Sequence, residues 1–380
     1  MAHPTNWLEV DLDAVRANAQ TVRAILPHPA ELWAVIKADA YGHGAVEVAR
    51  ALTQPHPVAQ RLIVATLDEA VTLCEAGIGA SLMTLYPYTY PDEWETAHHY
   101  QIEGVIDSVE GYQQACRLAE RNGWLLKTHL EIDTGMSRLG IPATQVERFA
   151  EQWTPNTPIQ IASVFTHFAS ADSDNTLTRQ QLETFLEAVR LLKARGFPSV
   201  PLHACASAGI LNLPDGTLDA VRCGLMVYGV MPTSGTEHPL AQRLKPALTW
   251  RARVLSVREI PAGQGVSYGW RFRAPRPMKV ATLGVGYADG YPIGLSNQTP
   301  IALGGRVVRQ IGRICMDMLM VDATEVPDLQ VGDCATLVGR DGEAEVRIET
   351  LAQILDTTPH ELTTRLGSRP HRRFRVGALV

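Results

Sequence analysis

A closed parallel (β/α)8 TIM-type barrel followed by a mostly β C-terminal domain is the fold class the sequence predicts, and three observations predict it. Over the first 230 residues, eight short apolar runs recur at intervals of about 20–35 residues, the size of a strand–helix unit. Helical periodicity fills the intervals between them. After a Pro-, Gly-, Ser- and Thr-rich stretch at residues 231–246, that periodicity gives way to alternation and short β-rich runs. Eight strand–helix alternations favour a barrel over an open doubly wound sheet. No Gly-x-Gly-x-x-Gly segment opens a helix, as a dinucleotide-binding sheet would require.

The elements follow in order. Leu12, Val15, Ala19, Val22 and Leu26 mark one face of a first helix, with Asp11 as its N-cap. The eight strand runs are residues 32–37, 62–66, 81–86, 102–107, 127–133, 161–167, 200–206 and 219–225. Leu182, Phe185, Val189 and Leu192 share a face of the helix expected over residues 179–195, and Gly196 stops it. Beyond the linker, residues 251–260, 280–286, 306–311, 319–321 and 335–338 read as strands, and residues 347–355 as one helix. The domains divide as 1–235, a cofactor-binding barrel, and 236–380. The basic run at residues 367–375 reads as a solvated tail or a strand edge.

The 380 residues carry a net charge of −6, with 46% hydrophobic and 19% charged residues, so a full core is available and a basic nucleic-acid-binding surface is not expected. No apolar run approaches the ~20 residues of a membrane span. No basic start and apolar stretch suggests a signal peptide. Six scattered cysteines without CxxC or zinc spacing suggest buried thiols in a reducing cytoplasm and no metal site.

In a parallel barrel the site lies at the C-terminal ends of the strands. There the sequence places Lys37 at the end of strand 1, Glu131 in strand 5 with Arg138 beyond it, Thr166-His167 after strand 6, His203 before Ser207, and Arg222 before Gly224-Leu225. Lysine is scarce, five among 34 basic residues. An isolated lysine keeps its ammonium in water. A lysine desolvated in a barrel mouth has a lowered pKa and becomes a nucleophile toward aldehydes, which is how pyridoxal phosphate is held. Ser207-Ala208-Gly209 and Gly224-Leu225 lie in the loops that usually supply a phosphate site.

The segment Leu-Trp-Ala-Val-Ile-Lys-Ala-Asp-Ala-Tyr-Gly-His-Gly around Lys37 resembles the cofactor-lysine motif of the alanine racemase family of fold-type III pyridoxal phosphate enzymes. Residues 129–140, 165–172, 203–209, 222–229, 267–269, 286–290 and 312–317 resemble segments of the same family in the same order. Ser267-Tyr268-Gly269 and Arg-Ile-Cys-Met-Asp at 313–317 point to racemases rather than to the decarboxylases of this fold type.

The resemblance implies a two-base interconversion of L- and D-alanine in a homodimer, supplying D-alanine for peptidoglycan; a serine or broad-specificity racemase is the alternative. It implies that Lys37 holds the cofactor and is one base, while Tyr268 from the partner subunit is the other. His167 would pack on the pyridine ring, and Arg222, backed by His203, would face its nitrogen. Tyr41, Ser207, Gly224 and Leu225 would bind the phosphate. Arg138 would meet the ring's phenolic oxygen and, with Met316, the substrate carboxylate. Tyr287 and Asp317 would line the entrance. Three positions depart from the family: Glu131 stands where most members have a lysine, often carbamylated; Ala206 replaces Asn; and residues 367–372 lack a phosphate-binding tyrosine. Glu131 is expected to replace the carbamate by pairing with Arg138.

Overall fold

The computed structural model describes residues 3–27, 29–232 and 238–377. Eight parallel strands, Glu31–Val35, Arg61–Val64, Leu82–Thr84, Gly104–Ile106, Leu126–Asp133, Ile159–Phe165, Leu202–Ala206 and Ala220–Cys223, follow one another around a barrel. The last pairs with the first in parallel. The third and fourth are joined where Thr84 N–H donates to the Glu103 carbonyl at 3.0 Å and Glu103 N–H to the Leu82 carbonyl at 2.9 Å. All eight expected runs are strands. Their near-continuous apolar character follows from burial on both faces, with Leu32, Trp33 and Ala34 fully buried.

The helices start where side chains satisfy their free N–H groups. Asp11 accepts from Ala14 N–H at the start of Leu12–Arg23, and Thr66 with Glu69 forms a capping box. Asp174 accepts from both Thr176 and Leu177, so the helix expected from residue 179 begins at Asn175 and runs to Ala194. Leu26 lies past the end of the first helix, yet still packs against the core.

The second sheet is built on the long strand Leu248–Ile260, which pairs antiparallel with Met278–Leu283, Cys334–Asp341 and Asn6–Asp11. Asn6–Asp11 therefore leaves the barrel's half of the sequence and sits in the β domain. On its other side it pairs in parallel with His371–Arg375, which makes the basic C-terminal run a sheet edge. The expected helix is present as Ile348–Ile354, and a short helix, Pro359–Thr364, follows it. Part of the expected linker, residues 233–237, lies outside the described residues.

Candidate active site

The first barrel strand ends at Val35, so Lys37 does not end a strand as expected. It opens a turn in which Ala38, Asp39, Ala40 and Tyr41 all have φ between 52° and 54°. Four consecutive non-glycine residues in the left-handed region cost about 1–2 kcal/mol each. The surroundings hold them there. Glu69 accepts from Ala38 N–H at 2.6 Å, and Arg372 donates to the Gly42 carbonyl at 2.9 Å while lying 3.3 Å from Asp39. Gly42 and Gly44 complete the turn at φ 79° and 92°. A Cβ on Gly42 would sit 2.3 Å from the Thr363 carbonyl, and one on Gly44 would strike the Phe374 ring. The β domain thus packs directly on the segment that presents Lys37.

Burial lowers the Lys37 pKa, and the positive charges of Arg138 and then Arg222 lower it further, against Glu69. A larger fraction of neutral, nucleophilic amine results. Arg222 is buried and has no carboxylate within ion-pair distance among the described residues. Its Nη1 donates to His203 Nδ1 at 2.6 Å; its Nη2 donates to the carbonyls of Thr166 and Ala204 at 2.7 and 2.9 Å and to His167 Nδ1 at 3.2 Å. Burial pulls the guanidinium down to about 10, so it stays charged at neutral pH. His167 falls to about 3, through burial and then the charges of Arg222, Arg138 and Lys37, and is a neutral imidazole.

Opposite the turn, Ser207 opens the short helix Ser207–Asn212, and its Oγ accepts from Gly224 N–H at 3.3 Å. Gly224 has no room for a side chain, since a Cβ there would lie 2.7 Å from the Tyr41 hydroxyl. Tyr41, Ser207 and Gly224 are thereby brought together, with Leu225 next in the chain, so that two hydroxyls gather at one loop. Such donors suit a phosphate. His360, which sequence reasoning missed, brings its ring to 5.6 Å from that of Tyr41 and lies close enough to Lys37 and Asp172 to sense both charges.

Glu131 is buried, 6% exposed, but the expected pairing with Arg138 is absent. Arg138 is exposed, carried outward on a loop that Asp133 shapes by accepting from Gly135 and Ser137 N–H at 2.9 and 3.0 Å. The Glu131 side chain makes no hydrogen bond or ion pair among the described residues. Burial raises its carboxyl to about 7 against the pull of Arg222 and Arg138, with Asp107 and Asp133 adding to the rise. Glutamate is too short to follow Arg138 out of the barrel.

Tyr268, Tyr287, Met316 and Asp317 are brought together, but on an exposed face of the β domain. Ser267 Oγ donates to the Arg313 carbonyl at 2.5 Å and lies 3.4 Å from Cys315 Sγ, while Tyr287 N–H donates to the Cys315 carbonyl at 3.1 Å. Asp317 pairs with Arg369 at 2.8 Å. Tyr268 is 68% exposed and makes no hydrogen bond or ring contact among the described residues.

Two family models match the chain: "Alanine racemase, N-terminal domain" over residues 10–232 and "Alanine racemase, C-terminal domain" over residues 247–374. An alanine racemase of Synechocystis is 40% identical over 357 residues, covering 94% of this chain and 95% of the relative. Among solved structures, the alanine racemase of D-cycloserine-producing Streptomyces lavendulae aligns with a TM-score of 0.90 and 34% identity, covering 99% and 98% of the two chains. The alanine racemase of Bartonella henselae, solved with covalently bound pyridoxal phosphate, aligns with a TM-score of 0.88 and 29% identity over 98% of this chain and all of that one.

Proposed function

From the premise that the chain belongs to the alanine racemase family, whose reaction interconverts L- and D-alanine, we propose that Lys37 and Tyr268 are its two bases. The residues at the barrel mouth fit pyridoxal phosphate: a lysine of lowered pKa, the hydroxyls of Tyr41 and Ser207 gathered at Gly224, and a buried guanidinium. When bound, that cofactor supplies an electron sink that acidifies the α-hydrogen of alanine. Lys37 Nζ holds the cofactor and moves a proton on one face of the substrate. The Tyr268 hydroxyl moves one on the other.

Arg222 keeps its own proton to about pH 10, so it would donate a hydrogen bond to the ring nitrogen without protonating it. An acidic partner there would favour protonation and with it side reactions. His167, neutral and held by Arg222 through Nδ1, would pack on the ring and leave its other nitrogen for Tyr268. Tyr41, Ser207, Gly224 and Leu225 receive the phosphate, and Arg138 with the Met316 backbone receives the substrate carboxylate.

The observation that carries this reading is Lys37 itself, a half-buried amine held beside guanidiniums by a strained turn. Borohydride reduction of wild type should leave a pyridoxyl group on Lys37. A pyridoxyl-protein still formed by Lys37→Ala would refute the assignment.

A homodimer with shared sites follows from Tyr268. Its face also exposes Trp270, Tyr287, Met316 and Met318, at 60, 43, 53 and 43%, an apolar patch that suits a second copy of the chain. Mixing inactive Lys37→Ala with inactive Tyr268→Phe subunits should restore part of the activity, because a heterodimer regains one intact site. The six cysteines are free, in keeping with a reducing cytoplasm, and among the described residues no helix is long and apolar enough to cross a membrane. The product is D-alanine for peptidoglycan.

A further inference from the structure

Behind Arg222 a line of buried polar side chains crosses the barrel, one from each successive strand. Arg222 Nη1 lies 2.6 Å from His203 Nδ1; His203 Nε2 lies 2.8 Å from Ser163 Oγ; Ser163 Oγ lies 2.6 Å from His129 Nδ1; and His129 Nε2 lies 2.8 Å from Glu103 Oε2. All five residues are between 0 and 4% exposed. Glu103, just before the fourth strand, ends the line at the opposite end of the barrel, where Arg61 Nε and Lys127 Nζ lie 2.8 and 2.7 Å from its carboxylate. Trp33 closes the side of the line, its ring 4.3 Å from that of His203 and 5.8 Å from that of His129.

The chemistry gives the line one direction. A guanidinium has donors only, so His203 Nδ1 must accept and carries no hydrogen. Neutral His203 then bears its proton on Nε2 and donates to Ser163 Oγ. The Ser163 hydroxyl donates in turn to His129 Nδ1, and His129 Nε2–H donates to Glu103. Burial, first among the causes, favours the neutral form of both imidazoles, which this pattern needs. Each donor polarises the next, so the Glu103 carboxylate makes His203 Nδ1 a better acceptor for Arg222.

We propose that Ser163, His129 and Glu103 are positioning residues: by fixing the tautomer of His203 through this one-way chain, they set the direction in which the Arg222 guanidinium points. The proposal rests on the reading of Arg222 as the group that faces the cofactor's ring nitrogen. Without Ser163 the Nε2–H of His203 loses its acceptor and the tautomer is held by Arg222 alone; each excursion of the proton to Nδ1 would confront an N–H of Arg222 and turn the guanidinium away.

The test is nitrogen NMR of the histidines in the full-length protein, with and without cofactor, beside the racemisation rate. Wild type should show both His203 and His129 as Nε2–H tautomers. Ser163→Ala should release His203 into a mixture and lower kcat about tenfold with KM nearly unchanged. Ser163→Thr, which keeps the hydroxyl, should restore both. An unchanged tautomer in Ser163→Ala, or equal losses in the Ala and Thr variants, would overturn the proposal. Should Ser163→Ala fail to fold by circular dichroism, an Nδ1–H or doubly protonated His203 in wild type would overturn it alone, and an Nε2–H His203 would support it. Arg222→Gln separates the two levels. If it too leaves the rate intact, the reading of Arg222 fails; if it lowers the rate while Ser163→Ala does not, the chain alone fails.

Discussion

Replacing Glu131 by glutamine should stabilise the protein, and only above acid pH. The wild-type carboxyl is buried and raised from 4.5 to about 7, chiefly by burial. Below pH 4.5 it is protonated in the folded and unfolded chains alike and costs nothing. As pH climbs from 4.5 toward 7, the unfolded chain ionises while the folded chain keeps its proton, so stability falls across that window and levels off above it. A rise from 4.5 to about 7 corresponds to about 3 kcal/mol at full ionisation. A glutamine side chain has nearly the same shape and never ionises. Wild type and Glu131→Gln should therefore unfold alike in urea at pH 4.5, and the variant should gain about 3 kcal/mol on wild type by pH 8. Circular dichroism at half-unit pH steps measures the difference. A difference that is flat with pH, or in which wild type gains as pH rises, would refute the reasoning. The second outcome is what a carboxylate paired with Arg138 would give. In neither protein should activity depend on added bicarbonate, since neither has a lysine at position 131 to carbamylate.

Three further outcomes follow from the site. Gly224→Ala should weaken cofactor retention at least tenfold with the fold intact, because its Cβ would press the Tyr41 hydroxyl from 2.7 Å; equilibrium dialysis measures it. Arg372→Ala removes three hydrogen bonds to the carbonyls of Gly42, Leu366 and Gly367, at about 1.5–3 kcal/mol for each charged bond that is well shielded. Its melting temperature should fall and borohydride labelling of Lys37 should slow, and labelling at the wild-type rate would show that the turn holds itself. His360→Ala should raise the dissociation constant of pyridoxal phosphate without changing the melting temperature of the cofactor-free protein.

Most of the barrel was legible because strands buried on both faces write themselves as apolar runs, and all eight were placed within a few residues. The Lys37 turn was not. Ala-Asp-Ala-Tyr carries no sign of positive φ, and only Gly42 and Gly44 beside it hint that the chain turns left. That conformation is imposed by Glu69, Thr363 and Arg372, and no local window contains them. Asn6–Asp11 alternates as a strand should, but its partners, from Leu248 onward, lie in the last third or so of the sequence. The side chains around Arg222 were found one at a time, as polar residues at strand ends. Ser163 and Glu103 were passed over because a lone serine or glutamate in a strand has many bland explanations. The usable signal was polar residues facing inward on consecutive strands. Glu131 was located but its partner was misjudged, since reach depends on where the Arg138 loop travels.

The grip of the C-terminal segment on the Lys37 turn has a consequence during synthesis. The barrel's last strand ends at Cys223, and Arg372, 330 residues after Gly42, leaves the ribosome long after that strand. Domains fold in order as they emerge. A nascent chain therefore completes its barrel well before the lysine turn is locked. Until Arg372 and Phe374 arrive, the four left-handed residues are free to relax, and Lys37 has no fixed aim. A chain stalled before Arg372 and Phe374 should therefore fold its barrel and yet hold pyridoxal phosphate poorly, so that capture of the cofactor waits on the arrival of the β domain's last strand.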